Sequence, residues 1–145
     1  MRMSAPAPAW LEPVDHTADA GIRVRASTVE ELFARAAWGM FSLITDMDRV
    51  VVRETARVVV EAEDRDSLLV RWLSELNYRH VTTHRLFSSF EILFLGDRQL
   101  EAEIGGEPIE FQRHTIHTEI KAVTFHELQL IHDDRGWSAR IIFDV

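Results

Sequence analysis

The chain has 145 residues, enough for one domain with a buried core, and 46% of them are aliphatic or aromatic, as in folded globular proteins. It contains no cysteine, which excludes disulfides, thiol nucleophiles and cysteine-based zinc sites. The formal net charge is −8, and Lys121 is the single lysine, so direct binding of nucleic acid through a basic surface is not expected.

Residues 1–10 are expected to form a flexible N-terminal tail. Pro6 and Pro8 stand between alanines, and the apolar core of a signal peptide is missing. No apolar run approaches the roughly 18 residues of a membrane span. We therefore expect a cytoplasmic protein with a single domain over 11–145.

The stretch 15–19 combines acidic, imidazole and hydroxyl groups just ahead of a strand-like run. In an extended segment, Asp15, Thr17 and Asp19 would share one face and His16 would lie on the other. Carboxylate and hydroxyl oxygens are the ligands of a hard cation. Asp144, beside the α-carboxylate of Val145, supplies similar oxygens if the fold brings the two ends together. The alternative is a solvated turn plus a frayed terminus.

Two helices are predicted after this stretch. Residues 21–26 alternate as a half-buried strand, and Thr28 with Glu31 forms a capping box ahead of an amphipathic helix of about 17 residues ending near Ile44. A strand is expected over 50–63. The polar run 64–67 then caps a second helix, whose buried face runs from Leu68 to His80.

Four further strands are predicted over 87–95, 99–104, 119–132 and 138–144. The turns between them contain Gly96-Asp97, Gly105-Gly106 and the run 133–136. The order strand, helix, strand, helix and then several strands predicts an α+β domain with two helices on a mostly antiparallel sheet.

The histidines give weaker signals. His80 and His84 have the spacing of a helical metal pair, but no third ligand is implied. His114 and His117 are expected to be solvated loop residues, and His126 with Glu127 is expected within a strand on opposite faces. No phosphate-binding glycine loop or nucleophile elbow occurs, so the sequence contains no self-contained catalytic machinery.

Lys121 allows two interpretations. It is either an ordinary strand-edge residue or a cation that orients neighbouring carboxylates and reaches a partner's phosphate.

Several segments, in order, resemble the archease family: Asp15-His16-Thr17-Ala18-Asp19-Ala20-Gly21-Ile22, Thr28 to Phe33, Ala36 to Phe41, Ile120 to Glu127, and the ending from Gly136 to Val145. The resemblance runs from about Val14 to Val145. Ala20 departs from the family pattern, in which a branched aliphatic residue is usual.

The resemblance implies a protein cofactor, not an enzyme, which assists an RtcB-type 3′-phosphate RNA ligase in tRNA splicing and RNA repair. It would promote guanylylation of the ligase and multiple turnover. The implied metal ligands are Asp19, Asp144 and Val145, with Asp15 and His16 as weaker members, and Lys121 is an important neighbour. Oxygen ligands without cysteine favour calcium, magnesium or manganese over zinc, and of these calcium is the first expectation.

Two other functions remain open at this point. One is a free-standing metal-dependent hydrolase that uses the same carboxylates to activate water. The other is a chaperone-like binding module with an exposed apolar patch.

Overall fold

The structure, a computed structural model, describes residues 7–16 and 19–145, with the side chains of Asp15 and His16 excepted. The elements follow in chain order: β1 (Leu11–His16), β2 (Asp19–Ala26), α1 (Val29–Ile44), a 3₁₀ turn (Met47–Arg49), β3 (Glu54–Glu61), α2 (Arg65–Thr83), β4 (Arg85–Leu95), β5 (Gln99–Pro108), β6 (Ala122–Val123), β7 (Gln129–Asp133) and β8 (Gly136–Asp144).

The strands form two antiparallel sheets. The first has the order β1-β2-β8-β6, with β7 also paired to β8, and the second has the order β3-β5-β4. Helix α1 packs against β2, β8 and β4, so it bridges the two sheets, while α2 packs against β3, β4 and β5. The predicted α+β class with two helices is confirmed, although the strands divide into two sheets where one was expected.

Both helices begin at the caps that the sequence predicts. Glu31 N–H donates to Thr28 Oγ1 at 3.1 Å, and Ser27 N–H donates to Glu31 Oε1 at 3.0 Å, a reciprocal capping box. At α2, Ser67 N–H donates to Asp64 Oδ1 at 2.7 Å, and this hydrogen bond lowers the pKa of Asp64. These local interactions fix where each apolar helix face enters the core.

The core lies between the helices and the two sheets. Phe33, Phe41, Trp72 and Phe143 are fully buried in one continuous cluster. Trp72 also donates its indole N–H to the Phe33 carbonyl at 2.9 Å, which ties α2 to α1. Burial of aromatic side chains of this size stabilises a fold by roughly 2–3 kcal/mol each.

Two glycines predicted in a turn lie inside β5. Gly105 pairs with Thr55 and Gly106 with Glu54, and the strand continues to Pro108. A Cβ on Gly106 would lie 1.9 Å from the Leu86 carbonyl oxygen. Gly105 and Gly106 therefore allow β4 to approach β5 closely. Glycine pairs are also typical of turns, so the sequence alone does not distinguish the two roles.

The long strand predicted over 119–132 is interrupted. Only Ala122–Val123 and Gln129–Asp133 pair with β8, and the chain leaves the sheet between them, with Glu127 at φ 51°. The Thr124 hydroxyl donates to the Ile142 carbonyl at 2.8 Å and holds the start of this excursion against β8.

The predicted N-terminal tail includes a residue that packs on the domain. Trp10 lies edge-on to Trp38 with ring centroids 5.5 Å apart, and its carbonyl accepts from Arg25 N–H at 3.1 Å. Residues 1–6 lie outside the described part of the chain.

Neither α1 nor α2 combines the length and apolar character that crossing a membrane requires.

Candidate functional site

The structure brings Asp19 and Asp144 together at one end of the first sheet. Asp19 begins β2, Asp144 ends β8, and the two are direct register partners in the antiparallel pair. Opposed residues of such a pair have Cβ atoms about 5 Å apart on the same face. Asp19 is half-buried and Asp144 is exposed. We call these two residues the acidic pair.

The main chain of Lys121 lies beside the acidic pair. Its N–H donates to the Asp144 carbonyl at 2.8 Å, and the next residue, Ala122, pairs with Asp144. The Lys121 side chain is exposed. Residues from β2, from the end of β8 and from the start of β6 therefore meet at this edge, although Asp19 is more than a hundred positions from the other two in sequence.

The local geometry around Asp15 and His16 differs from the extended segment that the sequence suggested. The chain reverses between β1 and β2, so that His16 pairs with Asp19 and Asp15 pairs with Ala20. The predicted grouping of Asp15 with Asp19 is wrong, because the register partner of Asp19 is His16, while Asp15 is paired with Ala20. Thr17 lies outside the described residues.

Gly21 allows the strands to close tightly beside the acidic pair. A Cβ at this position would lie 2.7 Å from Ile142 Cδ1 and 3.2 Å from the Ile141 carbonyl oxygen. A larger residue at this position would therefore require the Ile142 side chain and the adjacent β8 backbone to shift.

The donor set of the site suits a hard cation only in part. Carboxylate oxygens are present on two adjacent strands, as calcium, magnesium or manganese require. Within residues 7–16 and 19–145, with the side chains at 15 and 16 set aside, no cluster of three acidic, histidine or cysteine residues could hold a metal ion. Val145, another predicted ligand, is half-buried and packs against the core.

A cleft of about 380 Å³ adjoins Lys121. It lies between the C-terminal half of α2 and the segment before β6, and its lining comprises Ser74, Asn77, Tyr78, Val81, Glu119, Ile120, Lys121, Ala122 and Val123. Asn77 donates to the Ile120 carbonyl at 2.7 Å, while its Oδ1 is buried without a hydrogen-bond partner. The lysine thus stands at the mouth of a mixed polar and apolar cleft.

A buried ionic network on β5 was not foreseen from the sequence. The fully buried Glu107 carboxylate accepts from Arg113, from Val51 N–H at 2.6 Å and from His114 Nε2 at 3.1 Å. Arg113 lowers the pKa of Glu107 to about 2. Arg53 also approaches Glu107, at 3.2 Å.

His114 belongs to this network and is not the solvated loop residue that was expected. Its side chain is fully buried, and Nδ1 accepts from Glu110 N–H at 2.9 Å. Because Nδ1 is the acceptor, Nε2 carries the proton and donates to Glu107. An isolated charged residue and a loop histidine give no sequence signal of mutual burial. Their role here is to hold the loop after β5 against the domain.

Two of the other histidines, His80 and His117, have side-chain partners in the described part of the chain. His80 Nδ1 donates to the Arg85 carbonyl at 2.7 Å, and burial lowers the pKa of His80. His84 caps α2 in the left-handed conformation, and His117 contacts Asp46 at 2.9 Å. His126 and Glu127 lie in the excursion between β6 and β7, so their predicted strand position is wrong.

The structure is an α+β domain with two antiparallel sheets, and the acidic pair lies where the second and the last strands of the chain are paired. The Archease protein family model matches residues 11–145, and the chain belongs to the archease family.

Relatives named protein archease match nearly the whole chain. The one from Methanopyrus kandleri is 39% identical over 92% of this chain and 98% of its own length. That from Methanothermobacter thermautotrophicus is 38% identical over 93% of this chain and 98% of its own length.

Two solved structures have the same fold. The solution structure of Methanobacterium thermoautotrophicum protein 1598 has a TM-score of 0.77 at 37% identity, over 94% of this chain and 99% of that one. The crystal structure of a Thermotoga maritima archease, described as a possible chaperone, has a TM-score of 0.61 at 19% identity, over 92% of this chain and 96% of that one.

Proposed function

We propose that this protein is a cofactor of an RtcB-type RNA ligase, which promotes guanylylation of the ligase and so allows repeated turnover. The observation that carries the proposal is the pairing of Asp19 with Asp144, with Lys121 held against Asp144 by a main-chain hydrogen bond of 2.8 Å. Membership of the archease family supports it.

A divalent cation is part of the proposal, with calcium the first expectation and magnesium or manganese the alternatives. Asp19 and Asp144 would hold the ion, and the site would be completed by Asp15, His16 or the main-chain oxygens of Val145. A bound cation would offset the repulsion within the acidic pair and fix the end of the first sheet.

Lys121 is proposed to act on the partner. Its exposed ammonium group lies at the same edge of the sheet as the acidic pair and next to the cleft lined by α2. A mobile cation in this position can contact a phosphate or a carboxylate of the ligase. The acidic pair and the lysine would then form one contact surface.

The test is transfer of labelled GMP to the ligase of the same organism, followed over time with this protein at substoichiometric concentration. We expect wild type to accelerate transfer and to show no ligase, nuclease or phosphatase activity alone. Lys121→Ala should keep the fold, because an exposed lysine contributes little to stability, yet lose most of the stimulation.

Asp19→Ala and Asp144→Ala are expected to lose stimulation as well, whereas Arg71→Ser, an exposed change on α2, should retain it. If wild type does not accelerate guanylylation, the proposed function is wrong. If only the Lys121 variant behaves as wild type, the role of that side chain alone is withdrawn.

A chaperone-like activity is the second candidate, because the Thermotoga maritima relative is described as a possible chaperone. Phe111 and Phe125 are 79% and 59% exposed, which is the kind of surface an unfolded client would contact. Suppression of aggregation of an unrelated client protein, unaffected by Lys121→Ala, would favour this function over ligase activation.

A further inference from the structure

A groove of about 420 Å³ lies on the first sheet, on β2, β8 and β7. Arg23 and Arg25 line it from β2, where they alternate with the buried residues Ile22 and Val24, so the groove is on the face away from the core. Arg135, from the turn before β8, lines it as well. We call this feature the arginine groove.

The charge of the arginine groove opposes that of the whole protein. Arg23, Arg25 and Arg135 face a single lining carboxylate, Asp133, in a chain of net charge −8. Among the described residues, none forms an ion pair or side-chain hydrogen bond with these three guanidinium groups. Asp133 Oδ1 is itself occupied by Arg135 N–H at 2.8 Å. The groove therefore carries an excess of positive charge.

A fourth arginine lies on the same sheet, and an ion pair with Glu127 balances its charge. Arg140 is the direct register partner of Arg23 across the β2–β8 pair, while Glu12 lies opposite Arg23 on β1. Like charges directly opposed on neighbouring strands are destabilising. Glu127 accepts from Arg140 at 3.0 Å, yet the Arg140 Nε is buried without a hydrogen-bond partner. An anion at this face would offset the repulsion.

The groove is formed in advance of any ligand. Its floor is the hydrogen-bonded pairing of β2, β8 and β7, and Trp137 stacks on His132 with centroids 4.2 Å apart and planes 3° apart. Arg65 also lies over the Trp137 ring, at 6.0 Å. Because the Trp137 ring already contacts His132 and Arg65, the guanidinium groups are the main groups in the groove that a ligand can bind.

We propose that the arginine groove binds phosphate groups. Guanidinium forks match phosphate oxygens in bidentate pairs, and three of them against one carboxylate leave a charge that balances one phosphate dianion. The groove volume falls within the range of small-ligand sites. The phosphate belongs either to a small phosphorylated molecule or to an RNA backbone, and the inference does not depend on the proposed function.

The experiment is calorimetric titration of the full chain with pyrophosphate and, separately, with a short single-stranded RNA. The test protein is the double variant Arg25→Ser/Arg135→Ser. Arg71→Ser is the control, since it removes an exposed arginine from α2, away from the groove. We expect both exposed groove arginines to contribute, so that the double variant binds the phosphate probes at least tenfold more weakly than wild type, while Arg71→Ser binds as wild type. Unchanged thermal unfolding would show that the variants are folded.

The two probes distinguish the sources of the phosphate. Binding of pyrophosphate but not RNA assigns a small phosphorylated ligand, and tighter binding of RNA assigns its backbone. The proposal is overturned if wild type binds neither probe, if the double variant binds as wild type, or if Arg71→Ser weakens binding equally. Tighter binding of an acidic peptide than of either probe also overturns it.

Discussion

At the scale of single residues, Asp19 and Asp144 are the unusual feature. Two carboxylates directly opposed on neighbouring strands destabilise the pair by up to about 1 kcal/mol unless a cation is close. In the function proposed above, Lys121 and a divalent ion would supply positive charge near this pair. The divalent ion proposed above would offset this repulsion.

We predict that calorimetry with calcium, magnesium and manganese detects binding to wild type. Asp19→Asn and Asp144→Asn, each of which removes one anionic ligand, should weaken it by about tenfold or more, about 1.4 kcal/mol per factor of ten. Glu103→Gln, a carboxylate change on β5 of the second sheet, is the control and should bind as wild type. Equal affinity in all four proteins would eliminate the acidic pair as a metal site.

Residues whose partners are close in sequence were predicted well. The caps at Thr28 and Asp64 follow from residue type and spacing, because each bond spans only three positions. Glu107 and His114 were not predicted as a buried pair, since an isolated charged residue is normally solvated. The pairing of Asp19 with Asp144 spans most of the chain, so the sequence could predict it only on the condition that the fold brings the two ends together.

At the scale of elements, an ion pair and hydrogen bonds hold the loop after β5 in place. Arg113 joins Glu107 to the Arg49 carbonyl, with the latter contact at 2.9 Å, and Thr45 donates to the Thr115 carbonyl at 2.7 Å. These bonds fix the loop against the end of α1 and the 3₁₀ turn. The segment that leads to Lys121 is thereby tied to the rest of the domain.

We predict that Glu107→Gln lowers the free energy of unfolding by about 3 kcal/mol at neutral pH, because it leaves buried partners of the carboxylate unsatisfied. The pKa of Glu107 is lowered to about 2 from an ordinary value of 4.5, so its stabilisation is complete above pH 4.5 and is lost as the pH falls towards 2. Denaturant unfolding at pH 7 and pH 3 should show the difference between wild type and variant shrinking on acidification.

Glu110→Gln is the control for this prediction. Glu110 also contacts Arg113, at 3.1 Å, but its side chain is 52% exposed, so the pair is screened by water and is worth at most about 1 kcal/mol. Equal decreases in the free energy of unfolding in the two variants would show that the buried Glu107 carboxylate stabilises the fold no more than the exposed Glu110 carboxylate does.

Helices were easier to predict than strand ends. The apolar periodicity of α1 and α2 extends over many residues, whereas β6 and β7 together occupy a stretch that alternates like one strand. The excursion between them is fixed by the Thr124 hydroxyl bonding to the Ile142 carbonyl, a contact across the sheet. Pairing partners, which a single sequence does not reveal, decide where such a strand breaks.

At the scale of the whole molecule, charge is separated along the β2–β8 pair. The acidic pair, Asp19 with Asp144, stands at one end, and Arg23 with Arg140 is paired further along. The net charge of −8 means that the acidic surface dominates at a distance. A protein partner that approaches Lys121 and the acidic pair would be attracted through a basic surface.

We predict that association with the ligase proposed above is steered by charge. Its association rate, measured by stopped flow, should fall about tenfold or more from low to high salt, because ions screen the attraction. Glu119→Gln, an exposed change beside Lys121, should slow association roughly twofold at low salt, since one charge near the contact surface contributes only part of the field.

Glu63→Gln is the matched control. It precedes the N-terminus of α2, about 20 Å along the helix from Asn77, which contacts Ile120. An association rate that does not respond to salt, or two variants slowed equally, would place the contact surface away from this end of the sheet.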